Sequence, residues 1–286
     1  MFRWFSEKAS FDAVIATFEK YRRTGEEWAA QQKMVPGYCV CCESVVALQP
    51  SAGATFGERV NLREGLVCPH CAMSNRGRLL YQAVVENLAG SSDLDCAILE
   101  QTTPLYRSLK KRLPRLIGSE FLDPSYVSGR EYTWRNNIVR QESITGLSYA
   151  DASLRLVVHN DVLEHVHAYR VALAETARVL APGGICIFTM PFFMSRTAEA
   201  ELARPRPDGS NEIFGSKAEY HGDGVRPEGI LTYYHFGWNL LDDLRAAGFR
   251  QAELGLCYDL FLGFSTNNHP NFDYGVMYPL VLRAVR

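Results

Sequence analysis

The apolar positions near the start of the chain follow a helical period. Phe11, Val14, Ile15, Phe18 and Tyr21 recur at one-face spacing and predict an amphipathic helix over 9–33. The period is lost over 36–72, which Pro36-Gly37 opens and in which Ser51-Ala52-Gly53 marks a loop. It returns over 74–89, a second predicted helix with Ser74 as its cap and Gly90 at its end. Ser91-Ser92 then reads as a boundary.

Beyond it, short apolar runs alternate with helical patterns. Strands are predicted at 94–100, 115–121, 138–143, 153–161 and 185–193. Helices are predicted at 104–113, opened by Pro104, and at 168–180. The second places Tyr169, Ala172, Leu173, Thr176 and Leu180 on one side, with Pro182-Gly183-Gly184 as its stop. Residues 195–235, polar and rich in Pro and Gly over most of their length, predict a long loop or lid. A helix over 236–249, ended by Gly248, and strands within 251–264 and 274–285 complete the pattern. Such alternation predicts an α/β fold: a doubly wound, mostly parallel sheet of seven strands. The expected domains are 1–90, a small helical module, and 91–286, the sheet domain.

Cysteine placement sharpens the first module. Five of eight Cys fall between 39 and 71. Cys39 with Cys42, and Cys68 with Cys71, form two C-x-x-C knuckles, a spacing that suits a closed tetrahedral Zn²⁺ site. Cys41 is an alternative to Cys42, His70 lies between two ligands and is expected to point away, and a redox-active pair is the competing reading. Cys96, Cys186 and Cys257 sit among apolar neighbours and read as small core residues. A structural zinc would hold the module together without doing chemistry.

Charge narrows the function classes. Thirty Lys and Arg against 32 Asp and Glu leave a net charge of -2, and residues 1–90 carry 10 basic and 9 acidic groups. That balance argues against nucleic acid as partner. No apolar run reaches the roughly 20 residues of a membrane span, and the first residues lack the apolar core of a signal peptide. A soluble, cytoplasmic protein is the expectation.

In open α/β sheets ligands gather at the carboxyl ends of the strands. The first three predicted strands end near Glu100, Glu120 and Glu142, and the fourth runs into His159-Asn160-Asp161-Val162-Leu163-Glu164-His165-Val166. This D-V-L-E-H-V run, followed by R-V-L-A-P-G-G (178–184) and another apolar strand, resembles the class I S-adenosylmethionine-dependent methyltransferases of the type 11 group, over about 94–194. The resemblance implies a Rossmann-like sheet and S-adenosylmethionine as methyl donor. It places Glu100 at the first-strand acid of the donor site, Glu120 at the ribose hydroxyls, Glu142 and Ser143 at the adenine, and Asn160, Asp161 and Leu163 along the methionine side.

One departure stands out. Where the family carries a glycine-rich turn, this chain has Glu100-Gln-Thr-Thr-Pro-Leu-Tyr106, and Thr102 and Thr103 are expected to crowd or reshape the approach to the donor. Tyr220, His221, Asp223 and His235 in the lid segment are candidates for contact with the acceptor. A His there would act as general base for a hydroxyl; His221-Gly222-Asp223 also reads as a plain turn. The implied activity is methyl transfer, as O-methylation, to a small-molecule or glycan-linked acceptor. A ribosomal RNA methyltransferase with a zinc module, and a catalytically silent binding or scaffold protein, are the alternatives.

Overall fold

The computed structural model describes residues 1–53, 55–56, 58–88, 93–222, 224–269 and 275–286. The first elements are β1 (Arg3–Phe5), α1 (Lys8–Ala30), the hairpin β2 (Val35–Cys39) and β3 (Ser44–Leu48), and the short pair β4 (Thr55–Phe56) and β5 (Arg59–Val60). Next come α2 (Asn75–Asn87), β6 (Asp95–Ile98), α3 (Pro104–Arg112), β7 (Leu116–Gly118), β8 (Glu131–Trp134), β9 (Asn137–Arg140) and β10 (Leu154–Asn160). After α4 (Tyr169–Val179) and β11 (Leu180–Thr189) the chain forms β12 (Ala200–Glu201), β13 (Ala203–Pro205), β14 (Asn211–Ile213), β15 (Tyr220–His221), β16 (Ile230–Leu231) and β17 (Tyr234–His235). It closes with α5 (Leu240–Ala246), β18 (Gln251–Leu256) and β19 (Leu280–Val285).

Seven strands form one sheet in the order β1-β18-β19-β11-β10-β6-β7. β7, β6, β10 and β11 run parallel, while β1 pairs antiparallel with β18. The sheet is mixed, and its parallel core is the Rossmann-like part. From β6 the chain steps outward to β7, then returns to place β10 on the other side of β6. That reversal makes the carboxyl ends of β6 and β10 the topological switch point, where such sheets open a crevice.

The chain divides into two compact units: Met1–Ser92 with Thr102–Pro114 and Glu253–Arg283, and Asp93–Gln101 with Arg115–Ala252 and Ala284–Arg286. The expected boundary at 90/91, with Gly90 and Ser91-Ser92, lies outside the described residues, as do Asp223 and the start of the predicted strand 274–285.

In the first unit, α1 buries Phe11, Ile15, Arg22, Glu26 and Ala29, while Tyr21 is 77% exposed. The predicted apolar stripe is thus corrected at its fourth turn. Arg22 takes the inward slot because Glu26 and Thr266 satisfy it there, Thr266 at 3.0 Å. Removing either member of that buried ion pair would leave its partner's charge without compensation. Ser74 caps α2 as expected, accepting from Gly77 N–H at 3.3 Å. Arg78 is wholly buried; its Nη1 donates to the carbonyls of Leu66 (2.7 Å) and Met73 (2.9 Å), and its Nη2 to that of Gly263 (3.3 Å). One guanidinium thereby satisfies backbone carbonyls of three loop segments at once. Pro104 stands at the start of α3, and Thr103 Oγ1 caps it, accepting from Tyr106 N–H at 3.2 Å.

In the second unit, β10 is buried along most of its length and α4 packs with Tyr169, Ala172, Leu173 and Thr176 inward, as its period predicts. Leu180 does not continue that helix. Its backbone turns extended and begins β11, which runs through Pro182-Gly183-Gly184 to Thr189. The glycines serve this turn: Gly183 has φ +79°, and a Cβ at Gly184 would stand 2.8 Å from the Ala181 carbonyl.

Three expectations need correction. Residues 138–143 are not a strand of the main sheet, because 137–140 pair instead with β8; a lone parallel bridge from Gln141 to Glu120 remains. The lid segment is not irregular throughout. It forms three two-stranded ribbons, β12–β17, β13–β14 and β15–β16. The helix over 236–249 shortens to α5, because Phe236 is drawn into a bridge with Phe192 and fully buried. The strand expected within 251–264 is β18, which ends at Leu256, and Asp259 and Phe264 close a turn beyond it.

Candidate functional site

The switch point collects the predicted donor-site residues of the second unit. Glu100 follows β6 and is buried; Glu120 lies just beyond β7, also buried, and its Oε1 accepts from Gln101 N–H at 2.9 Å. Asn160 ends β10. Thr189, at the end of the neighbouring β11, donates its hydroxyl to Asn160 Oδ1 at 2.6 Å and lies 2.9 Å from Asp161 Oδ1. Asp161 turns the chain at φ +52°, held by its N–H on the Thr189 carbonyl at 3.0 Å. Asn and Asp tolerate that left-handed conformation better than most residues. Leu163 is fully buried at the start of a 3₁₀ turn, 163–165.

Glu142 and Ser143 are organised differently from the strand-tip acids. The Glu142 carboxylate is 3% exposed and already taken by Arg140 Nε (2.9 Å), by Ser148 N–H (2.9 Å) and by the Ser148 hydroxyl. It therefore fastens the 142–148 turn. Ser143 donates its N–H to Ser128 Oγ at 3.0 Å, and its hydroxyl lies 2.9 Å from that of Thr145.

Gln101 belongs to this region and carries no motif. Its Nε2 donates to the Ile138 carbonyl (3.0 Å) and its Oε1 accepts from Arg140 N–H (3.1 Å), so one amide clamps β9 to the chain after β6. Thr102 and Thr103 face a different task from the one their sequence position suggests. Thr103 caps α3, and Thr102 offers its carbonyl to Arg107 at 3.1 Å.

In the first unit the four predicted zinc ligands converge. Cys39, Cys42, Cys68 and Cys71 place their sulfurs within 4.8 Å of one another, with Cys39 to Cys71 at 3.7 Å and Cys42 to Cys68 at 3.8 Å. Two local devices bring this about. The β2–β3 hairpin holds Cys39 opposite Ser44, and residues 40–43 form the turn between them. After each knuckle one residue adopts a left-handed backbone, Glu43 at φ +52° and Ala72 at φ +59°. Ala72 N–H also returns to the Cys68 carbonyl at 2.9 Å. None of the eight cysteines is in a disulfide.

A second cluster lies in the second unit. Glu164, His165 and His221 bring one carboxylate oxygen and two ring nitrogens within 4.8 Å. Glu219, which no motif singled out, accepts from His221 Nε2 (3.1 Å) and His235 Nε2 (3.0 Å). Those two hydrogen bonds hold its carboxyl well below the ordinary carboxylate range. Burial alone would lower His221, but the nearby carboxylates of Glu164 and Glu219 outweigh it and push the ring up to about 9.

Residues 103–188 match the family described as "Methyltransferase domain". The match begins after β6 and covers the segment from the α3 cap to the end of β11. No curated protein matches the chain. Among solved structures, an S-adenosylmethionine-dependent methyltransferase from Mesorhizobium loti is 13% identical, with a TM-score of 0.45, and covers 74% of this chain and 100% of its own. The Burkholderia thailandensis 1,6-didemethyltoxoflavin-N1-methyltransferase, solved with its substrate and S-adenosylhomocysteine, is 17% identical, with a TM-score of 0.39, covering 74% of this chain and 78% of its own. Among the described residues no helix is long and apolar enough to cross a membrane. The match to a methyltransferase domain spans 86 of the 286 residues.

Proposed function

We propose that the methyl donor is S-adenosylmethionine and that it binds at the β6/β10 switch point. The observation that carries this reading is the position of buried acids at the tips of adjacent parallel strands within a methyltransferase fold. The donor set fits: a carboxylate at a strand end is a bidentate acceptor for a pair of ribose hydroxyls. Glu120 takes that role and Glu100 borders the same crevice. The turn that Glu142 fastens, with Ser143, borders the adenine. Asn160, Asp161 and the buried Leu163 line the methionine side, with Thr189 fixing the first two.

The sulfonium supplies a methyl group on a good leaving atom, so the chain's work is placement. Asn160 and Asp161 are held by Thr189 before any ligand arrives, which reduces the cost of ordering them. The acceptor is a small molecule or a glycan-linked hydroxyl, and the reaction is O-methylation. Net charge near neutrality supports such an acceptor over RNA.

The four cysteines bind structural Zn²⁺ in the same proposal. Sulfurs about 2.3 Å from a shared ion at tetrahedral angles stand about 3.8 Å apart, and two of the pairs here are at 3.7 and 3.8 Å. Four protein ligands leave no open position, so this ion orders the knuckles only.

Thermal-shift titration with S-adenosylhomocysteine tests the donor site. A ligand at a hundredfold excess over its Kd stabilises by about 2.7 kcal/mol. Glu120→Ala is expected to weaken binding about tenfold to a hundredfold, the range for losing hydrogen bonds to a charged group. No shift at millimolar ligand with the folded, zinc-loaded chain would overturn the assignment and favour a catalytically silent scaffold.

A further inference from the structure

Glu164 is the most unusual buried charge in the second unit. Its side chain is 1% exposed, and among the described residues neither carboxylate oxygen has a hydrogen-bond partner. A carboxylate taken out of water without hydrogen bonds costs several kcal/mol. His165 Nε2 and His221 Nδ1 each lie 3.7 Å from its Oε1. That is beyond hydrogen-bond range, so neither ring donates to it.

The two rings are aimed. His165 Nδ1 lies 2.9 Å from the Leu231 carbonyl, an acceptor, so Nδ1 carries a proton and Nε2 is the nitrogen that faces Glu164. His221 Nε2 lies 3.1 Å from Glu219, so Nε2 carries a proton there and Nδ1 faces the same Glu164 oxygen; a cation bound at Nδ1 takes the place of any proton on that nitrogen. The β15–β16 ribbon makes this possible by pairing Tyr220 with Leu231 and His221 with Ile230. Metal-binding histidines commonly donate their remote nitrogen to a carbonyl or carboxylate in this way.

We propose that Glu164, His165 and His221 form a site for a divalent first-row transition cation. Two imidazoles and a carboxylate suit such an ion, and three protein ligands leave positions open for an oxygen ligand. Ligands about 2.1 Å from a shared ion stand about 3.4 Å apart at tetrahedral angles, so the cluster closes by about 1.5 Å or less on its widest edge. His221 is 31% exposed and gives the ion a route from solvent, while Glu164 supplies the buried charge. Glu219 is a positioning residue: it orients His221 and raises its basicity. This site is independent of the cysteine cluster in residues and in donor chemistry.

Metal uptake by the full chain is the test. Mn²⁺ is the probe, because imidazole and carboxylate accept it whereas a tetrathiolate selects softer ions. Titration followed by the electron paramagnetic resonance of free Mn²⁺ should show one ion bound per chain. Glu164→Gln and His221→Ala should each abolish it, with an unchanged circular-dichroism spectrum and unchanged mercurial-released zinc. Glu219→Gln should weaken uptake about tenfold to a hundredfold. The proposal is overturned if the wild type takes up neither Mn²⁺ nor zinc beyond the mercurial-released fraction, or if Glu164→Gln binds as the wild type does. Binding of S-adenosylhomocysteine, measured on the same samples, reports the donor site separately.

Discussion

Replacing His159 by Phe tests the core of the sheet through its pH dependence. His159 lies on the central strand β10, is 1% exposed, and stacks on Phe188 of β11 with ring centres 4.5 Å apart. Among the described residues its Nδ1 has no hydrogen-bond partner. Burial pushes its pKa down to about 3, against a small opposing pull from Asp161. The unfolded chain titrates at the ordinary 6.5. Between those values the unfolded state binds a proton that the folded state refuses, so stability is full above 6.5 and falls as the pH drops toward 3. Integrating that difference, going from pH 7 to pH 5 costs about 2 kcal/mol through this one residue. Urea unfolding of wild type and His159→Phe at pH 7, 6 and 5 measures it. Every other titrating group is common to both proteins, so the difference between them isolates the imidazole. The variant should hold its stability about 2 kcal/mol better over that interval, with the phenyl ring retaining the stack. Parallel pH profiles for the two proteins would refute the reasoning and mean that β10 does not bury this ring in a neutral state.

Two further outcomes bear on the first unit. Cys39→Ser and Cys68→Ser should each lose the bound zinc and lower the melting temperature, whereas Cys41→Ser should keep one zinc per chain; metal analysis of the purified variants decides it, and equal loss in all three would move the fourth ligand to Cys41. Thr103→Ala should cost about 1 kcal/mol by removing the cap of α3, while Thr103→Ser should cost less, as read by urea unfolding.

Much of this architecture was written in local pattern. Pro104, the cap at Ser74 and the apolar faces of α2 and α4 are decided within a few residues, and the order of strands and helices follows from them. The knuckle spacing likewise needs only two tight turns to bring four sulfurs together. What failed was decided by partners far along the chain. Residues 137–140 have the apolar content of a sheet strand, but β8 lies two residues upstream and takes their hydrogen bonds first. Tyr21 fits the helical stripe of α1, yet Arg22 is inward because Glu26 on the same helix and Thr266 from the far end of the sequence compensate its charge. Gln101, Arg78 and Glu219 share a common reason for being missed. Each acts through carbonyls or rings contributed by distant segments, and a single polar residue in sequence carries no sign of what will face it.

The glycine-free turn after β6 takes on a different meaning once α3 is visible. A glycine there serves close approach of bare backbone to a ligand. This chain instead invests the position in a helix start: Thr103 caps and Pro104 pre-sets the first turn. In the donor site proposed above, the burden of binding falls on Glu120 and the 160–163 turn, which Gln101 and Thr189 hold by hydrogen bonds. The same turn continues directly into Glu164 and His165. One stretch of six residues, 160–165, therefore borders the proposed donor site at one end and supplies two of the three proposed metal ligands at the other. Tyr233 N–H on the Glu164 carbonyl, at 2.7 Å, and His165 on that of Leu231 tie its far end to the β16 and β17 segment. Substitutions in 230–235 should accordingly disturb metal uptake before they disturb S-adenosylhomocysteine affinity, while substitutions at Thr189 should do the reverse. The two readouts separate the ends of one loop, and equal loss of both from either side would show that the loop moves as a single body.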